Sequence, residues 1–364
     1  VMEVRLNLRL ILERVPDPRG RQGRDYPLWS ILALIVVSLV SGRKGMKAAF
    51  ELGRSLNSRQ RAALGFTATT PCHATLTQTL RVIDPQALGA VLGSLRINQD
   101  EQGRHIAIDG KSMRASKDAS GTSIHVVSAF CTDLQATLGH EASRGRGFEL
   151  PDASLLARMD LPSMATPCSA RGWSRPGSPG KAAIFSCRSR ITRRNCARIS
   201  NWLSTSRFFS LKSHETTNRG HGRTETRRID VLPALAAGIG DIWPTARQIC
   251  RLTRSRRRKS GGAWGETTEI VYLITSLTTR KASPEMLLEL SRSHWGIEVM
   301  HRHKDFTLGE DGYTNRLDHA PRNISSILAF ALRILKTVSP SPTRAIEHFQ
   351  DNRNRAIRLF RPVH

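Results

Sequence analysis

Residues 161–214 contain no aspartate or glutamate. These 54 residues hold ten Lys or Arg and eleven Ser, whereas 30 acids in a chain of 364 would place four or five there. Their apolar residues keep neither a helical nor a strand period, and SARGWSRPGSPGK matches no template of either kind. A core must therefore be drawn from the sequence on either side. Two origins fit the composition. One is a basic, disordered insert that binds nucleic acid. The other is translation of a shifted reading frame. Trp, Cys, Phe and Ile scattered among Arg and Ser favour the second, because evolved disordered segments shed such residues.

The rest of the chain is rich enough to fold. Hydrophobic residues make up 39% of it, and its length suits two or three domains. The formal net charge is +26, with 56 Lys or Arg against 30 acids, which points to a polyanionic partner, most simply nucleic acid. The Gly, Pro and Cys counts exclude collagen-like, low-complexity and disulfide-scaffold classes. The six cysteines form no CxxC pair, so neither a zinc ribbon nor a secreted disulfide framework is expected, and a reducing compartment is.

Helical patterning dominates the first hundred residues. Residues 28–40 form an apolar run of 13, short of the roughly 20 needed to cross a bilayer, and read as a helix buried in a protein core. A polar turn over residues 16–27 precedes it, with Pro27 suited to a helix entry. Further helical spacing runs over residues 47–64 and from Thr75 through Val82. The pattern then changes. HIAID (residues 105–109) reads as a short buried strand ending on an acid, IHVVSAFC as a second strand and ATLGHEA as a third. After the acid-free stretch come GHGRTETRRIDVL as a strand, then two strands joined at Gly261 and Gly262. A long helix follows over residues 284–306, and an apolar one over 321–338.

Few residues stand out chemically. Asp109, beside Gly110 in IDGKSMR, suits a metal ion with room for a phosphate, and suits equally a turn-forming aspartate. Glu298 shares roughly one helical face with His294 and His301, which could be a zinc face or a polar stripe opposite Leu287, Leu290 and Ile297. Glu310 and Asp311 are further acids in LGEDGYTNR, or a helix-end turn. Arg223, Arg227 and Arg228, and then Arg251, Arg254, Arg256, Arg257, Arg258 and Lys259, would form a broad positive surface if their strands are adjacent.

Seven segments carry a family resemblance. VPDPRGRQGRDYPLWSILAL, PCHATLTQTLRVID, IAIDGKSMRAS, HVVSAF, GHGRTETRRI, LITSL and SHWGIEVMHRHKDFTLGEDGYTNR occur in this order. Over residues 5–160 and 208–358 the chain resembles the bacterial insertion-sequence transposases of the H-repeat-associated type, within the DDE transposase superfamily. The resemblance implies an α/β (α+β) fold: a ribonuclease-H-like catalytic domain with a β-rich insertion over residues 223–277, preceded by a helical domain. Expected domains are a helical one over 1–100, the catalytic one over 101–340 with 161–214 disrupted and disordered, and a basic tail over 341–364.

The resemblance also implies a chemistry. Three acids would hold two Mg²⁺ or Mn²⁺ ions for cleavage and transfer of DNA strands. Asp109 matches the first acid and Glu298 the third. The second should end a strand of the type hydrophobic–Thr–x–Asp–Ala, where this chain has LPSMATPCSARG. Family-like sequence stops near Asp160 and resumes near Phe208, as two compensating frame changes would leave it. The implied reading is a DNA transposase inactive for want of its second acid, with a non-catalytic DNA-binding regulator of transposition as the alternative. Lys111, Arg114, Arg223, Arg227, Arg254, Arg256, Arg257 and Arg258 are the expected DNA contacts. A homodimer on the nucleoid, in the bacterial cytoplasm and away from membranes, is the expected setting.

Overall fold

A computed structural model describes residues 7–95, 106–113, 121, 123–132, 136–144, 163–165, 183–187, 211–220, 222–234, 246–260, 263–315 and 317–361. The chain folds into two compact units that do not follow its order. The first comprises Val1–Gly103, Gly110–Gly147 and Ile297–His364; the second, Arg104–Asp109 and Phe148–Gly296.

The first unit is mainly helical. Six helices come from the N-terminal sequence: α1 (Leu8–Leu12), α2 (Leu28–Val40), α3 (Met46–Arg54), α4 (Ser58–Ala63), α5 (His73–Val82) and α6 (Pro85–Gly93). α2 is the apolar run, and every residue in it except Trp29 is buried, so protein covers its apolar surface. The helical spacing expected over 47–64 is broken into α3 and α4. Asn57 restarts the helix through a capping box, its side chain accepting from the Gln60 amide while the Gln60 side chain accepts from the Asn57 amide. Gly65 turns the chain after α4 at φ +77°, and a Cβ there would sit 2.3 Å from the Trp29 ring.

The C-terminal sequence completes this unit. Helix α8 (Ala320–Val338), which follows α7 (Pro284–Arg302) in the chain, is buried over nearly its whole length. Asn323 on α8 donates from Nδ2 to the Leu80 and Ile83 carbonyls, both at 2.9 Å, satisfying acceptors left open where α5 ends. Residues 341–364, expected as a basic tail, contain α9 (Pro342–Asp351) and α10 (Arg353–Arg358). Ala345, Ile346, Phe349, Ala356, Ile357 and Phe360 are all buried, so apolar burial as well as charge shapes this segment.

Strand β1 (Ile106–Met113) belongs to the second unit up to Asp109 and to the first from Gly110. The first unit also holds β2 (Ile124–Cys131) and β3 (Ala136–Arg144), an antiparallel pair with a register shift between Ala129 and Phe130. Met113, Ile124 and Val126 form a small buried cluster. In the second unit β1 is followed by β4 (Ser163–Ala165), β5 (Ala183–Cys187), β6 (Lys212–Gly220), β7 (Arg223–Pro233), β8 (Gln248–Ser260) and β9 (Ala263–Thr275). Their order is β1-β4-β5-β9-β8-β7-β6. β1, β4 and β5 pair in parallel, and the remaining pairs are antiparallel. β4 and β5 lie inside the acid-free stretch, where the sequence shows no strand pattern.

The long hairpins are anchored at one end. Helix α7 (Pro284–Arg302) is followed by a π turn, His303–Thr307, so the helix expected to run to Phe306 changes its winding there. Leu287, Leu288 and Leu290 of α7 pack on Ile229, Val231, Cys250, Leu252 and Leu273 of β7, β8 and β9. The opposite face is closed by Leu232, Ala234, Ile249 and Ile274. Further along, the strands turn polar, and the burial that fixes register at the base gives way to charge.

Candidate functional site

Asp109 lies within β1, not at its end. The strand continues through Gly110, Lys111 and Ser112 to Met113, four residues past the boundary expected from HIAID. Its neighbour in the second unit is β4, in parallel register, with Ile106 opposite Ser163, Ala107 opposite Met164 and Ile108 opposite Ala165. The sequence immediately after Ala165 lies outside the described residues. It reads Thr166-Pro167-Cys168, and the next acid is Glu215. Arg114 lies outside the described residues.

Glu298 sits on α7 in the part that belongs to the first unit and is half-buried, while Asp109 belongs to the second. His294 and His301 are both buried, at 7% and 8% exposure, so the face they share is not a solvated polar stripe. No group of three His, Cys, Asp or Glu suited to a metal ion occurs among the described residues.

The helix-end acids have a definite role. Lys304, in the π turn, is 1% exposed, and its Nζ lies 2.8 Å from Glu310 Oε1. It also donates to Ser325 Oγ at 2.6 Å, and Ser325 donates to Glu310 Oε1 at 2.9 Å, closing a buried triangle. Lys111 enters from β1, contacting Asp305, Glu310 at 3.2 Å and Asp311 at 3.2 Å. Burial alone would raise the Glu310 pKa, but Lys304 and Lys111 outweigh it and hold the carboxyl at about 2. Burial draws the Lys304 ammonium below its ordinary value. Lys111, expected at DNA, thus has its charge engaged by three carboxylates. Only the ED pair before a glycine hints at this cluster in the sequence.

The arginine stripes do meet on adjacent strands. Across β7 and β8, Arg223 faces Arg258, Glu225 faces Arg256 and Arg227 faces Arg254, all on one side of the sheet because side chains alternate. Like charges directly opposite repel. Glu225 offsets this, reaching Arg227 at 2.8 Å, Arg254 at 3.0 Å and Arg256 at 3.1 Å. Burial would raise the Glu225 pKa, yet the three guanidiniums keep it lowered. Arg254 also reaches Glu269 at 3.4 Å. Five guanidiniums therefore face two carboxylates, leaving the surface positive. Arg257 points the other way and lies over Trp264, 5.5 Å from its ring centre. Arg223, Arg256, Arg258 and Trp264 border a groove of about 510 Å³.

Residues 10–95, the helices of the first unit from α1 to α6, match the family described as DDE_Tnp_1-associated. The chain is also similar to an uncharacterized protein in the dhlA 3′ region of Xanthobacter autotrophicus, 27% identical over 135 residues. That match takes in 35% of this chain and 45% of the relative, so the chain spans less than half of that protein's length. Among solved structures it resembles a piggyBac transposase synaptic complex with hairpin DNA, at 12% identity, covering 97% of this chain and 76% of that one. The TM-score is 0.37. The helical N-terminal sequence is similar to a domain associated with DDE transposases.

Proposed function

We propose that this chain is an insertion-sequence transposase of the H-repeat-associated type that still binds DNA and has lost strand cleavage and transfer. The observation that carries the loss is β4: the strand beside Asp109 leads into Thr166-Pro167-Cys168, with no carboxylate before Glu215. A meander of β1 with β2 and β3, and two further strands parallel to β1, support a ribonuclease-H-like reading of the sheet. The long strands β7, β8 and β9 correspond to the β-rich insertion between second and third acids.

The family's Mg²⁺ or Mn²⁺ ions would polarise the phosphate and activate the attacking oxygen. The donor set here does not fit them. Asp109 and Glu298 remain, the second acid is missing from the sequence, and Glu310 and Asp311 are committed to Lys304 and Lys111. Removing one member of a group that acts as a unit costs several orders of magnitude in rate. Shifted reading over residues 161–208 accounts for both the missing acid and the basic composition. DNA binding rests on the arginine face of β7 and β8, whose phosphate contacts need no metal. We place this activity in the bacterial cytoplasm, on the nucleoid, in a homodimer.

The test is nucleotide sequencing in all frames across codons 161–208, with DNA cleavage assays on the chain and on a frame-restored version. A hydrophobic–Thr–x–Asp–Ala strand in an alternative frame is expected. Its absence sinks the frame argument.

A further inference from the structure

The helical unit contains a cavity of about 550 Å³, bounded by the starts of α3 and α5 and by the chain leading into α8. That volume is within the range of small-molecule sites, about 300–1,000 Å³. Lys47, His73 and Arg81 line it, and no carboxylate does among the described residues. Asp318 lies outside the lining and accepts from Arg81 Nε at 2.7 Å, which fixes the guanidinium. Thr77 also lines the cavity, and its Oγ1 is buried with no hydrogen-bond partner. A buried hydroxyl without a partner is unfavourable and calls for an acceptor. Leu317, 57% exposed, supplies an apolar wall.

Three basic side chains, an unsatisfied hydroxyl and an apolar wall suit a phosphate ester carrying an apolar or aromatic group. We infer that this cavity takes a phosphodiester of a DNA strand, so that the helical domain grips DNA separately from the β7 and β8 arginines. This rests on the DNA reading proposed above. Lys47 and His73 are exposed and can meet a ligand without rearrangement of the fold.

The full chain is titrated with a fluorescent duplex over a range of salt. In parallel, alkylation of Cys72 is followed by mass spectrometry with and without the dinucleotide pTpT. Cys72 is an exposed free thiol next to His73 and serves as a reporter at the cavity rim. Lys47→Glu is expected to weaken duplex binding about fivefold and to lower the slope of log affinity against log salt by about 1. In the unmodified chain pTpT should slow Cys72 alkylation, and Lys47→Glu or Thr77→Val should abolish that protection. Unchanged duplex binding by both variants overturns the DNA assignment, even if pTpT protects Cys72, since a free nucleotide would then be the occupant. Weakened duplex binding without protection of Cys72 overturns the cavity as the site. If the unmodified chain binds no duplex, the DNA reading itself fails. The phosphate pocket then stands or falls on pTpT protection alone.

Discussion

Lys304 and Glu310 are buried together, and each would be costly alone. The pair gains by mutual attraction and by Ser325, which bonds to both. Removing one partner strands a charge in the core, whereas replacing both with apolar groups removes the desolvation cost as well. Glu310→Gln should therefore destabilise the fold by about 3–5 kcal/mol, while Lys304→Met with Glu310→Leu should come close to neutral. Urea unfolding of the three proteins checks this. A lowered carboxyl pKa also fixes the sign of the acid response. Glu310 titrates near 2 in the folded chain and near the ordinary carboxylate value, about 4.3, when unfolded. Its contribution is complete above that ordinary value and is lost as pH falls from about 4.3 to about 2. Stability measured over that window should fall less steeply in the Lys304→Met, Glu310→Leu protein than in the parent.

At the scale of elements, β7 and β8 show why a charged antiparallel strand pair can remain ordered. Burial of Ile229, Val231, Cys250 and Leu252 sets the register at the base, and that register then obliges Arg223 to face Arg258. Arg223→Ser with Arg258→Ser should leave stability unchanged or raised, since a repulsive cross-strand pair is removed. The salt slope of DNA binding should fall by about 2 in the same protein. A slope equal to the parent's would remove these arginines from the interface. The β8–β9 hairpin was legible because alternation and the Gly261-Gly262 pair between the strands are local signals. β6 was not, since KSHETTNRG is a mostly exposed strand without an apolar face. The Lys304 cluster was hidden for another reason: its partners come from β1, the π turn and α8, and no local pattern records that convergence. Helix α9 was obscured by charge, although Ala345, Ile346 and Phe349 are its buried face.

For the whole chain, stability and chemistry draw on different residues. The helical unit has a core built on α2 and α8, from sequence on both sides of the acid-free stretch, and needs none of that stretch. In the second unit β4, which pairs with β1, and β5, which pairs with β4, come from within it. Hydrogen exchange should therefore be slowest in α2 and α8, and frame restoration over 161–208 should raise protection in β1 while leaving those helices unchanged. Asp109 and Glu298 stand out in the sequence because they sit in family-like segments. No acid follows Asp160 before Glu215, and β4, which pairs in parallel with β1, lies in that stretch. The most direct measurement is cleavage of insertion-sequence end DNA by the chain as it stands, with Mg²⁺ or Mn²⁺, beside the frame-restored chain. Loss of the second acid predicts cleavage by the restored chain alone, abolished there by Asp109→Ala. Metal-dependent cleavage by the chain as it stands, likewise abolished by Asp109→Ala, would contradict the account.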